Sequence, residues 1–216
     1  MSPDTARSAT STTPARSPQS SEHALILGED GWLVPAAGIL FRPSPNHDPR
    51  PGNENPTLLV LHNISLPPGV FSGNAVIDFF CNTLDFDQHP WYENIRGVRV
   101  SAHFFIRRDG TIVQFVATTE RAWHAGASSF RGRARCNDFS VGIELEGTDT
   151  LPCTAIQYTQ AAALTRALRT RHALTDVCGH EHIAPGRKTD PGPAFDWLRY
   201  GRAAGWADEV LPRLAQ

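Results

Sequence analysis

The chain has 216 residues, with 20 basic and 22 acidic side chains and a net charge of -2. That length suits one medium domain with appendages rather than two full domains. The balanced charge gives no bulk attraction for nucleic acid or an anionic membrane, and we expect neither as a partner. No apolar run nears the roughly 18 residues of a membrane span. The start, MSPDTARSATSTTPARSPQSS, lacks the apolar core of a secretory signal, so a cytoplasmic protein is the expectation. Cys81, Cys136, Cys153 and Cys178 are widely spaced with no CxxC pair, which suits reduced thiols better than a disulfide framework.

Residues 1–23 are rich in Ser, Thr, Pro, Ala and Arg, a composition that cannot bury enough surface to offset the entropy of ordering, which predicts a disordered tail ahead of one domain over 24–216. Ala24 to Phe41 carries short apolar runs broken by Gly and Pro and reads as an edge strand or arm, and 42–56 reads as loop. Thr57 to Leu61 is continuously apolar, as in a strand covered on both faces, and delivers His62 to the strand's C-terminal end, where ligands gather in α/β sheets. Ser72 to Leu84 has apolar residues at helical spacing behind a candidate cap at Ser72. Two β-rich runs flank Asp109-Gly110, a hairpin signal. Phe139 to Glu146 alternates, placing Glu144 and Glu146 on one face. Thr154 and Gln157 form a capping box ahead of a helix running to about Ala173, and Leu174 to Cys178 is a short strand leading to His180. This order predicts an α/β fold, with a mixed central sheet flanked by helices.

The stretch GHEHIAPGRKTDPGPAFDW, Gly179 to Trp197, sets two imidazoles, a lysine and an aspartate in a loop stiffened by proline. His180 and Asp190 are ligand types for zinc, and three protein ligands with one open position make a catalytic zinc centre. If the strands before His62 and His180 are neighbours, their imidazoles meet at one sheet edge and Asp190 closes the triad. His182 is a rival ligand, facing the same way as His180 in an extended segment, although ligands at i and i+2 strain a tetrahedral site. Cys178 is a further rival, more often a small core residue. Glu144 is the candidate general base and proton donor, with Glu146 competing. Lys188 could face the oxyanion formed when a carbonyl is attacked. Arg121, Arg131, Arg133 and Arg135, with Arg96 and Arg99 before the hairpin, suit ligand carboxylates or form a solvated loop. Trp123 and His124 could line a pocket or belong to the core.

TLLVLHNISLPPG, SAHFFIRRDGTIVQFV, AWHAG, CNDFSVGIELEGT and GHEHIAPGRKTDPGPAFDW, in this order, resemble the amidase-2 family of AmpD-type zinc N-acetylmuramoyl-L-alanine amidases. The resemblance implies the peptidoglycan-recognition-like fold and zinc held at His62, His180 and Asp190. It further implies Glu144 as catalytic carboxylate, Lys188 as transition-state stabiliser, and substrate contacts from Asn63, Arg99 and Arg135. The implied reaction is hydrolysis of the amide between the lactyl group of N-acetylmuramic acid and L-alanine. Cytoplasmic members act on 1,6-anhydromuramyl peptides in cell-wall recycling and thereby quiet β-lactamase induction in some bacteria. The expected partner is a muropeptide met by a monomer. A receptor on the same fold would lack the metal set, and an unrelated zinc peptidase would cut peptides without the sugar.

Overall fold

In a computed structural model of the chain, the structure describes residues 24–212, so the tail expected over 1–23 lies outside the described residues. The strands Ile39–Phe41, Leu58–Ile64, Phe104–Ile106, Ile112–Gln114 and Ser140–Glu146 form where the sequence is rich in apolar, aromatic or β-branched residues. In chain order they are β1 (Ile39–Phe41), β2 (His47–Pro49), β3 (Leu58–Ile64), β4 (Phe104–Ile106), β5 (Ile112–Gln114), β6 (Glu120–Ala122), β7 (Ser129–Phe130), β8 (Arg133–Ala134), β9 (Ser140–Glu146) and β10 (Asp176–Gly179). The helices are α1 (Ala75–Phe80), α2 (Ala155–Arg171), α3 (His180–Ile183) and α4 (Trp197–Ala204). Six strands join in one sheet of order β1-β5-β4-β9-β3-β10. β4 and β5 are antiparallel and every other neighbouring pair is parallel, so the sheet is mixed as expected.

The Asp109-Gly110 hairpin forms between β4 and β5. Gly110 sits at φ +89, a left-handed conformation that glycine adopts at little cost, and the Asp109 carboxylate accepts from the Thr111 backbone N–H. β1 is the edge strand foreseen near Phe41, paired in parallel with β5. Within 42–56, read as loop, His47–Pro49 pairs with β6, a contact between segments too far apart for local pattern to reveal.

β3 and β9 are neighbouring inner strands of the sheet, and alternation divides their side chains between two layers. Leu59, Leu61, Val141, Ile143 and Leu145 belong to the large core with Tyr158, Leu164 and Leu168 of α2 and Trp197 and Tyr200 of α4. Fully burying one such side chain contributes roughly 1.5–3 kcal/mol. The intervening positions, Val60 and His62 on β3 and Ser140, Gly142 and Glu144 on β9, take the opposite face. On that side α1 packs with Phe105 and Phe115, while Val60, Ala125, Phe139 and Cys178 form a smaller cluster.

Two helix boundaries differ from the sequence reading. α1 is six residues long and starts at Ala75, with Asn74 rather than Ser72 in the N-cap position, because Gly73 between the two adopts φ +77, off the helical path. α2 ends at Arg171, where extended His172 turns inward and its ring lies 2.7 Å from Asn55 Oδ1 and 2.8 Å from Thr118 Oγ1. The capping box is present: Gln157 N–H donates to Thr154 Oγ1 at 3.2 Å and Thr154 N–H donates to Gln157 Oε1 at 3.0 Å. The buried Gln157 amide also donates to Ile106 O and Glu146 O, tying the helix start to two strands. Thr154→Ala is expected to lower stability by about 1 kcal/mol, read as a fall of about 2–4 °C in melting temperature.

Candidate active site

β3, β9 and β10 run parallel, so their C-terminal ends gather at one edge of the sheet. Register then determines which side chains meet. His62 lies directly across from Glu144, and Gly179 across from Leu61, which brings His180 beside His62 although they are 118 residues apart in sequence. Asp190 returns to the same edge because its carbonyl accepts from the Glu181 N–H at 2.9 Å and the next carbonyl, Pro191 O, accepts from Asn63 Nδ2 at 3.0 Å. Asn63 Nδ2 also donates to Asp149 Oδ1 at 2.8 Å, clamping the loop after β9 to the segment that carries Asp190.

His62 Nδ1, His180 Nδ1 and Asp190 Oδ2 form a triangle with sides of 3.0, 3.0 and 3.1 Å. One proton can bridge one side of such a triangle but not all three. A tetrahedral zinc with ligands at roughly 2.0–2.2 Å has donors spaced a little over 3 Å apart, so this cluster fits one small divalent cation. The far nitrogens are also engaged. His180 Nε2 lies 3.2 Å from the Ala125 carbonyl, which can only accept, so this contact places the proton on Nε2 and leaves the Nδ1 lone pair facing the triangle. Burial lowers the pKa of His62 to about 4, with the charges of His180 and Lys188 adding to it against hydrogen bonding to Asp190, so the imidazole is neutral near pH 7. Burial by itself raises Asp190, but hydrogen bonds and charge from the two histidines outweigh it and hold the carboxyl below the usual carboxylate range.

Glu144 is buried, and among the described residues its Oε2 has no hydrogen-bond partner. Burial pushes its pKa well above the usual value, reinforced by the charge of Asp190 and opposed by Lys188. A carboxylate desolvated and aimed into a cleft is poised to exchange protons with a bound molecule. Glu146, the competing candidate, is spent on structure, since its Oε2 accepts from the Arg108 N–H at 2.8 Å.

Glu144, His180, Lys188 and Asp190 line a cavity of about 540 Å³, with Asn63 on its rim and an apolar wall of Leu66, Phe79, Trp91 and Val100. A second cavity of about 370 Å³ shares His124, His180 and Lys188 with the first and is lined by Arg99, Arg121, Trp123 and Arg187. Arg99 and Trp123 thus stand in the cationic compartment, where Trp123 Nε1 donates to Asp48 Oδ2 at 2.7 Å. Arg135 is placed elsewhere. Its guanidinium pairs with Asp138 at 2.9 Å, its side chain is 70% exposed, and it lines neither cavity. His182 stands in a helical turn, α3, instead of an extended segment. Its Nδ1 accepts from Gly179 N–H at 3.0 Å and its ring packs on Trp197, directing it away from the triangle. Cys178 lies in the small apolar cluster.

Three participants were not singled out from the sequence. Arg187 lines the cationic cavity and donates to Ala125 O, and Asp149 anchors Asn63. Arg50 is buried and donates to the carbonyls of Thr118, Asn137, Asp138 and Ser140. Arg50 lies in the Pro-rich stretch HDPRPG, which carries no local signal of burial.

Residues 52–193 match the family model of the N-acetylmuramoyl-L-alanine amidases, amidase-2. The chain belongs to that family and is a hydrolase of the N-acetylmuramoyl-L-alanine amidase class. The 1,6-anhydro-N-acetylmuramyl-L-alanine amidase AmpD of Escherichia coli K12 is 57% identical over 177 residues, covering 81% of this chain and 95% of that protein. A crystal structure of a selenomethionine AmpD derivative superposes with a TM-score of 0.79 at 56% identity, over 82% of this chain and 99% of the other. AmiD from E. coli, solved in complex with the substrate anhydro-N-acetylmuramic acid-L-Ala-D-gamma-Glu-L-Lys, aligns at 26% identity and a TM-score of 0.52, over 85% of this chain and 67% of that one.

Proposed function

We propose that this amidase hydrolyses the amide between the lactyl group of 1,6-anhydro-N-acetylmuramic acid and L-alanine of the stem peptide, as a cytoplasmic monomer in peptidoglycan recycling. His62, His180 and Asp190 hold zinc. The observation that carries the reading is the triangle of donor atoms 3.0–3.1 Å apart, set in one cleft with the unpartnered carboxylate oxygen of Glu144. The activity of the AmpD relatives and the anhydromuramyl ligand of the AmiD complex support the choice of substrate. Among the described residues no helix is long and apolar enough to cross a membrane.

When bound, zinc would polarise the lactyl carbonyl and make water at its open position more acidic. Glu144 takes the proton of the attacking water and later delivers it to the departing amine of L-alanine, a role suited to a carboxyl whose burial has raised its pKa. Lys188, lining both cavities, presents its ammonium to the oxyanion. Asn63 holds the Asp190 segment and borders the cavity that takes the sugar. Arg99, with Arg121 and Arg187 beside it, offers the second cavity to carboxylates of the stem peptide, and Trp123 supplies a flat wall. Arg135, which points to solvent and to Asp138, is assigned at most to the outer end of a bound peptide.

Incubation with an anhydromuramyl tripeptide should yield anhydro-N-acetylmuramic acid and free tripeptide by mass, and a chelator should stop the reaction until zinc is restored. Equal hydrolysis of the tripeptide lacking the sugar, or full turnover in metal-stripped protein, would overturn the reading. Lys188→Ala is expected to lower kcat by about 10²-fold, as for loss of one oxyanion donor, with zinc content unchanged by elemental analysis.

A further inference from the structure

We propose that His124 is a positioning residue that holds His62 in the tautomer presenting Nδ1 to the cation, and that position 142 must be glycine for it to do so. The inference rests on the zinc reading above. His62 Nε2 lies 2.9 Å from His124 Nδ1, and His124 Nε2 lies 3.1 Å from Ser140 Oγ. With a cation at His62 Nδ1, the ring proton must reside on Nε2. His124 Nδ1 then accepts it, and His124 Nε2–H donates to the Ser140 hydroxyl, so each ring has one defined tautomer. His124 stands behind the ring of His62, on the side away from the triangle, so it acts through His62 and is not itself a ligand.

The surroundings leave this ring little freedom. The backbone N–H groups of His124 and Ala125 both donate to Asn137 Oδ1, at 3.1 and 2.8 Å. A Cβ on residue 142 would lie 2.5 Å from His124 Cγ and 2.7 Å from Nδ1, so the ring occupies the space left by the missing side chain. Gly142 is held in turn by His103, whose ring Nδ1 accepts the Gly142 N–H at 3.0 Å and whose backbone N–H donates to Gly142 O at 3.1 Å. Strand, glycine and imidazole therefore form one rigid backing for a single ligand. His180 has the Ala125 carbonyl in the equivalent role, so the two histidines are fixed by different means.

The test is zinc affinity of the purified folded protein, by competition with a chromophoric chelator, together with the absorption of the cobalt(II)-loaded form and the melting temperature without metal. His124→Leu should weaken zinc binding by about 10–100-fold and alter the cobalt spectrum. His124→Gln, which restores an acceptor, should recover most of the loss. Gly142→Ala should weaken binding on the order of tenfold by displacing the His124 ring. A merely structural role would lower the metal-free melting temperature and leave affinity in the folded protein unchanged. Parent-like zinc binding by folded His124→Leu overturns the inference, as does a His124→Gln loss equal to that of leucine. If leucine does not fold, the glutamine and Gly142→Ala proteins decide by the same criteria. A parent protein that binds no zinc overturns the metal reading instead, a distinct result.

Discussion

Glu144→Ala is expected to keep zinc at one equivalent while kcat falls by about 10²–10⁴-fold, the usual range for loss of a general acid–base group. The two outcomes separate because Glu144 is not one of the three donors at the triangle and its Oε2 bonds to nothing among the described residues. Removing it should not weaken the fold, since an unpartnered buried polar group costs roughly 1–3 kcal/mol and the alanine variant no longer bears it. Equal or higher melting temperature, equal zinc by elemental analysis and lost amide cleavage are therefore expected together. Retained turnover would remove Glu144 from the mechanism and reopen the choice between it and another cavity group.

Asp190→Ala is expected to lose metal and turnover at once. The carboxylate is the sole anion of the triangle, and without it two imidazoles 3.0 Å apart must hold a dication alone. Changes to groups that only support a ligand already cost 10–100-fold in metal affinity, so loss of a ligand should cost more than about 100-fold. The loop should survive the substitution, because its anchors are main-chain: Asp190 O accepts from Glu181 N–H and Pro191 O accepts from Asn63. Circular dichroism should accordingly match the parent while a chelator competition shows no tight zinc. Tight zinc binding in this variant would sink the proposed ligand set.

Local pattern was enough where local physics decides. The continuously apolar run before His62 and the alternation from Phe139 to Glu146 became β3 and β9, and Thr154 with Gln157 capped α2. Pattern failed where one residue depends on a distant partner. Gly73 broke the expected helix start, and His172 left its helix to reach Asn55 and Thr118. An extended chain would align His182 with His180 as a rival ligand, whereas the turn of α3 rotates it onto Trp197. Arg50 and Asp149 sit in polar, loop-like sequence, and nothing there shows the carbonyls or the amide they serve.

Along the chain the available residue types and the strands that carry them were already legible: an imidazole at the end of an apolar run, a second after another, a carboxylate in a proline-stiffened loop, and a glutamate on an alternating strand. That these groups meet is a matter of three-dimensional packing, because the parallel register of β3 with β9 and β10 sets His62 opposite Glu144 and next to His180. It also decided which nitrogen of each ring faces the others, since that depends on what lies behind the ring, Ala125 O for one and His124 for the other. Hydrogen-bond direction is a property of neighbours in space, and no spacing along the chain encodes it.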